Sequence, residues 1–497
     1  MATSSVVSLS SIAGAPIAKS GIKLATLPLA IGRYSEEKMP FRFMTKGDSL
    51  TSPYAYQRLA QTGVTWEFPI SGIWGAYPYI YTIVSGPAEL TIGQWLTRDS
   101  FGDWNINPDY GVLKWVSPIA GNHQIIVCVT EANGYSHNVS FTLNVGNNYY
   151  FAGLTASGSG DGSSYENKAA YTSLFMDGAN HTIASPARYK VLCLDGGTYV
   201  YTGDFVINDL KPLAVINYPG TVPVIRSEGN GQIRLNTHHA FVSGIIAENW
   251  GPSSVFRTAD KYHSQVVWRV EIKDAHGDPA GAFNEAGWFI DSTNNSTYKE
   301  NFVFRDIIFR DCHEIAGFVW YSTKGLIDNL IWVTNKTVIK EPLWFPKGSC
   351  WVEVRHCRFD NDVVDFPDGD AVMLIYNSEV AAPAKAHVRY NFVRCKPNGR
   401  AAAFNTASNG ATFDHAAETY DDHNTYAGGS IETRAHGGDM VIFENNIMQN
   451  THSGVDPILP GFQYGDDNHR GTDGLIDANG RVIDQTKRGI SGHQIYS

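Results

Sequence analysis

The sequence predicts an all-β protein in which a compact β-sandwich precedes a long parallel β-helix. Three observations carry this. A motif returns between Val266 and Asn450: a short apolar strand, a polar corner and a second short apolar strand, ending in Asp or Asn. Its copies read VVWRVEIKDAH from Val266, FVFRDIIFRDC from Phe302, VEVRHCRFDND from Val352, HVRYNFVRCKP from His387 and VIFENNIMQNT from Val441. Successive copies lie roughly 35 to 55 residues apart and match to within a one-residue slip, the signature of stacked units that bury their apolar faces on one another. Next, apolar and polar positions alternate within short runs, and helical periodicity is nearly absent. Finally, aromatics make up 12% of the chain, Gly occurs 48 times and only 18% of residues are charged, a profile that suits β-structure better than a helical enzyme. The competing reading is an ordinary sandwich with chance similarity between strands. Repetition of the same corner chemistry favours the β-helix.

The 497 residues suggest two or three units. Residues 1–61 are rich in Ser, Ala and Gly, with Pro16, Pro28 and Pro40, and read as an extended arm that orders on a partner surface. Residues 62–146 read as an antiparallel sandwich, from runs such as VTWEFPI, YPYIYTIV, HQIIVCVTEA and SHNVSFTLNV separated by turn signals. The order FPISGIWGAYPYIYTIVSGPAELTI, then DYGVLKWVSPIAGNHQIIVCVTEANGYSHNVSFTLNV, resembles immunoglobulin-like, cadherin-like repeats of bacterial surface and phage structural proteins. That resemblance implies adhesion or spacing and no catalytic residues.

Residues 147–460 read as the β-helix and 461–497 as its closing turns. The stretch from Glu166 to Met176 is expected to form a short helix capping the first coil. GSGDGSSYENKAAY followed by LCLDGGTY is similar to the opening of pectate-lyase-like right-handed β-helix proteins, which include polysaccharide lyases, glycoside hydrolases and phage tailspikes. The resemblance implies the fold, not the reaction. Through the tailspikes it also implies a homotrimer.

The net charge of −11 argues against a nucleic-acid partner. No run of about 18 apolar residues predicts a membrane span. Six scattered cysteines without CxxC spacing read as reduced and mostly buried, with a Cys350–Cys357 disulfide as the alternative. The N-terminus lacks the charged and apolar regions of a secretory signal. That fits a virion component made in a host cytoplasm. A secreted chain with its signal removed reads the same.

Stacking would bring the corner carboxylates along one edge at about 4.8 Å per rung. Asp360, Asp362 and Asp365 form the densest acidic stretch. They suit a catalytic carboxylate pair at separations of about 5 to 10 Å, or oxygen ligation of Ca²⁺. The plainer reading is that they satisfy turn backbone groups. Around the turn GGSIETRAHGG stand Glu432, Arg434 and His436. This stretch is broadly similar to the region of β-helix polysaccharide lyases where an acidic residue and an Arg act near a metal. The resemblance implies Arg434 or His436 as base and Glu432 as ligand. The Lys expected upstream of the Arg is not evident. Trp288, Trp320, Tyr321 and Trp344 are candidate sugar-stacking rings, with burial in the coil as the alternative. No cofactor is required. No P-loop, Rossmann, HExxH or GxSxG motif occurs. The expected function is a phage virion appendage: a tailspike, or a capsid fibre or decoration. It would contact other virion proteins through the arm, engage host-surface polysaccharide and, in one version, depolymerise it. The alternatives are a polysaccharide lyase or glycoside hydrolase, and a purely structural decoration protein.

Overall fold

The computed structural model describes residues 39–44, 56–94, 97–98, 104–105, 109–174, 180–182, 191–208, 214–228, 231–249, 255–258 and 264–274. Beyond these it describes 288–290, 299–310, 317–320, 322–333, 343–347, 350–360, 371–376, 385–394, 400–405, 418–427, 430–434, 440–444, 447–449, 462–464, 489–491 and 494–496. Among them, strands dominate and no α-helix occurs.

The N-terminal unit packs two sheets. One is built mainly from the antiparallel strands Ile80–Ser85, Gly121–Thr130 and Ser136–Gly146. The other pairs Trp66–Pro69 and Thr91–Ile92 with Val112–Trp115. Period-2 alternation puts Ile125, Val127, Val129, Val139, Phe141 and Leu143 inside, where Phe141 meets Trp66 and Phe68. Two short strands from the expected arm belong to this unit. Arg42–Phe43 pairs with Gly72–Ile73, and Leu59–Gln61 runs parallel to Asn144–Gly146. The sandwich therefore begins ahead of residue 62.

From Tyr149 onward the chain is a parallel β-helix. A 21-stranded sheet and an 11-stranded sheet run its length. In the larger sheet two parallel stacks meet at a bend, and several strands pass through the bend unbroken, as in Val266–Lys273 and Lys299–Arg310. The bend residue is left-handed in successive rungs: Gly244, Arg269, Asp306, Asn329, His356, Tyr390 and His423. At Gly244 a Cβ would collide with Asn217, so only glycine fits there. The other six residues bear the left-handed conformation because the ladders on both sides fix it.

The polar corner of the repeat is this bend. The copies at Val266 and His387 reach it at their fourth residue and those at Phe302 and Val352 at their fifth, so Val266 pairs with Val303 and Glu353 with His387. Two further rungs, GLIDNLIWV and TYDDHNTYA, complete the stack. The step between rungs runs from 22 residues (Tyr420 to Ile442) to 47 (Ile442 to Gly489).

Inside the coil, Leu192, Val215, Val242, Val267, Phe304, Ile327, Val354 and Val388 form one continuous column, rung on rung. Asn391 and Asn424 follow the bend residue and ladder upward. The Asn391 amide and side chain donate to Asn424 Oδ1 at 2.8 and 3.0 Å, and Asn424 Nδ2 donates to the Val388 carbonyl at 2.9 Å. Each buried amide side chain thereby satisfies backbone groups that the bend leaves unpaired.

The expected capping helix does not form. Ala169–Ala170 is a strand that pairs with Ala152 and Gly153, and Tyr171–Leu174 is a 3-10 turn. Eleven residues are too few for a helix to hold without tertiary support, and here the tertiary contacts pull the other way. Tyr165 Oη and Lys168 Nζ both reach Asp195, at 2.9 and 2.5 Å. The two halves of the opening motif, GSGDGSSYENK and LDGG, are thus tied side chain to side chain. Cys128, Cys193 and Cys357 are free thiols, so no Cys350–Cys357 bridge forms.

Candidate functional site

The sandwich lies along one flank of the coil. Two outward columns of the larger sheet meet it, and their chemistry changes along the stack. The early rungs present Tyr149, Val191, Phe241, Val266, Val303 and Leu326, which share a core with the sandwich. Later rungs present charge: Arg305, Asp328, Arg355, Arg389 and Asp422 follow one another in a single column, with Glu353 and His387 beside them.

The loop from Ile70 to Tyr79 closes over this charged end. Glu353 is completely buried. It accepts from Arg355 Nη1 at 3.0 Å, from Arg389 Nε at 2.9 Å and from the Trp74 amide. Arg389 also donates to the carbonyls of Gly75 and Trp74 at 3.0 and 3.2 Å. Arg305 donates to the Tyr110 carbonyl. Asp328 takes Arg355 Nη2 at 2.8 Å and His356 Nδ1 at 2.7 Å. The Tyr77 ring lies between the Arg355 and Arg389 guanidinium groups, at 5.1 and 5.0 Å. Burial pushes the Glu353 and Asp328 carboxyls up. The adjoining cations outweigh it and hold both below the usual carboxylate range. Burial also pushes the His356 imidazole down. These buried ion pairs act as a clamp between the two units.

The clamp opens at one end. Asp422 accepts from buried His387 and, at 2.7 Å, from His423 Nδ1. The His423 side chain is 34% exposed and stacks on Tyr390 at 4.9 Å. Asp421 points the other way. It takes the interior-column position between Val388 and Phe443 and accepts from Tyr426 Oη at 2.5 Å.

Backbone register sorts the residues proposed from sequence. In the 11-stranded sheet, one column runs Arg234, Arg257, Phe289, Phe318, Trp344, Leu374, Ala403, Glu432. Trp344 and Glu432 therefore share a column, three rungs apart, and Arg434 lies two residues on from Glu432 in the same strand. Trp288 takes the register position of Phe256, which is core. Trp320 pairs with Lys347 across a register shift. Asp360 belongs to the other sheet, in register with Arg394. Asp362, Asp365, His436 and Tyr321 lie outside the described residues. Among the described residues no group of three or more His, Cys, Asp or Glu side chains could hold a metal ion.

The clamp residues escaped the sequence reading. Their signal was there: charged residues at alternate positions of the strands LID, VEVR and HVR, which read as solvent-facing.

No protein-family profile and no curated protein matches the chain. Among solved structures it is similar to the catalytic domain of a GH87 α-1,3-glucanase D1045A in complex with nigerose. That similarity has 11% identity and a TM-score of 0.30, covering 81% of this chain and 85% of the other.

Proposed function

We propose that the protein binds an extended polysaccharide along its 11-stranded sheet and cleaves it there. One observation carries the reading: a single register column holds Phe289, Phe318 and Trp344 on successive rungs and Glu432 three rungs further on. Rungs repeat at about 4.8 Å, so Trp344 stands about 14 Å from Glu432, a span suited to several sugar units of one chain. In this reading the aromatic positions stack on sugar rings. Glu432 serves as the acid, and Arg434 neutralises an anionic group on the glycan. The second carboxylate is drawn from the Asp360–Asp365 stretch, the densest acidic run of the sequence.

The virion setting belongs to the same proposal. The glycan would be a host-surface polysaccharide, the assembly a homotrimer, and the segment ahead of the sandwich the attachment to other virion proteins. Support comes from the acidic, β-rich composition and from the tailspike-like opening motif.

The test is incubation of the protein with capsular and lipopolysaccharide preparations, following reducing ends and the absorbance of unsaturated uronates. New reducing ends without unsaturation identify a hydrolase, and unsaturated product identifies a lyase. Glu432→Gln is expected to lower cleavage by about a hundredfold or more while binding persists. Trp344→Ala is expected to weaken binding about tenfold. Silence across a broad panel by the folded protein overturns the reading and leaves a structural component.

A further inference from the structure

The outer face of the sandwich's larger sheet, away from the coil, has an unusual surface. Its strands Ile80–Ser85, Gly121–Thr130 and Ser136–Gly146 contain no Lys, Arg, Asp or Glu at any position. Exposed protein surface is ordinarily about a quarter to a third charged. Across this face, polar side chains pair with one another. Asn144 donates to Asn122 at 2.8 Å, Thr142 to Gln124 at 2.9 Å, and the Thr130 and Ser136 hydroxyls meet at 2.9 Å. Covering the face strands few donors or acceptors, because these pairs survive desolvation. Two large apolar side chains, Ile80 and Val84, stand more than half exposed on its edge strand.

We propose that this face is an interface with a second copy of the same chain. Charge selects that occupant. Two molecules of net charge −11 repel over most of their surfaces. A flat, uncharged face is where that repulsion is weakest, and interface cores are depleted in charge for the same reason. The edge strand is shielded from strand addition, since the Tyr81 backbone is hydrogen-bonded by the Gln94 side-chain amide on both its N–H and its carbonyl. Contact is therefore face to face rather than edge to edge. The proposal is independent of any glycan cleavage by the coil.

The test is sedimentation of the full chain over a concentration series, comparing wild type with Ser140→Lys and with Asn138→Lys. Ser140 and Asn138 are exposed, so neither change disturbs the sandwich core, and circular dichroism checks that the fold is kept. The expected result is a wild-type oligomer whose dissociation constant rises about a hundredfold in each variant, as two like charges are brought together. Cys128 lies on the same face and is a free thiol. A short bismaleimide is expected to link two wild-type chains, and Cys128→Ser is expected to abolish the link. A wild-type protein that stays monomeric, or an oligomer that the lysine variants leave unchanged, overturns the proposal. So does a face that the lysines impair only in binding neutral oligosaccharides.

Discussion

Glu353→Gln tests the clamp between sandwich and coil. The substitution keeps the side-chain shape and removes the charge. Both guanidinium groups donate to Oε1 and the Trp74 amide donates to Oε2, so the new NH2 turns a donor toward one set of donors or the other. Removing one partner from a buried ion pair costs about 3–5 kcal/mol. Here Arg355 keeps Asp328, and Arg389 keeps the Trp74 and Gly75 carbonyls. The loss therefore falls at the low end, about 3 kcal/mol. A chain of 497 residues unfolding as one unit has an unfolding entropy of about 1 kcal/mol/K. The expected fall in Tm at pH 7 is then about 3 °C, read by calorimetry at matched protein concentration. The pH dependence supplies a second readout. The folded-state pKa of Glu353 is depressed, so its contribution is present above the ordinary value of 4.5 and is lost as pH falls through the folded value. The Tm difference between wild type and variant should narrow steadily below about pH 4.5. A variant within about 1 °C of wild type at pH 7, or a difference that widens in acid, would refute the clamp.

Two other substitutions test the coil. Gly325 lies under Phe302 on the adjoining rung, and a Cβ there would fall inside the ring. Gly325→Ala should destabilise by about 1–3 kcal/mol, and Phe302→Leu in the same chain should recover part of it in a denaturation series. Asn424→Ala removes the acceptor of the Asn391 amide and the donor to Val388. It should cost about 1–3 kcal/mol, and hydrogen exchange at the Asn391 amide should accelerate, whereas an unchanged exchange rate would sink the ladder's role.

Alternation and repetition made the all-β class and the stacked coil legible, because period 2 and a recurring corner are local properties of the chain. Register was less legible. The bend is filled by Arg, Asp, Asn, His and Tyr, so the glycine or asparagine that usually marks a left-handed residue is mostly missing. The rung at His423 lacks that marker, and the copies at Val266 and His387 reach the bend one residue sooner than those at Phe302 and Val352. The docking of the sandwich was not legible at all. Glu353, Arg355 and Arg389 sit at outward positions, where charge ordinarily means solvent. Only a second unit lying against that flank makes them core. For the candidate sugar-stacking rings, the sequence could offer Trp288 and Trp344 only as equals. A one-residue difference in strand parity separates the column of core residues Ile233 and Phe256 from the one that carries Arg234 and Arg257.

The clamp also imposes a timetable on synthesis. Trp74 bonds to a residue 279 positions further along the chain, and Arg389 reaches back 314 positions to Gly75. At about 5–20 residues per second, the ribosome delivers those partners roughly 15 to 60 s after the loop itself has emerged. For that interval the sandwich, already able to close its own sheets, waits with the Ile70–Tyr79 loop uncovered. The coil grows toward it one rung at a time, apolar rungs first. The nascent chain is therefore held first by nonpolar adhesion and by Arg269, paired with Glu67 and Asp109, and the buried cluster around Glu353 locks last.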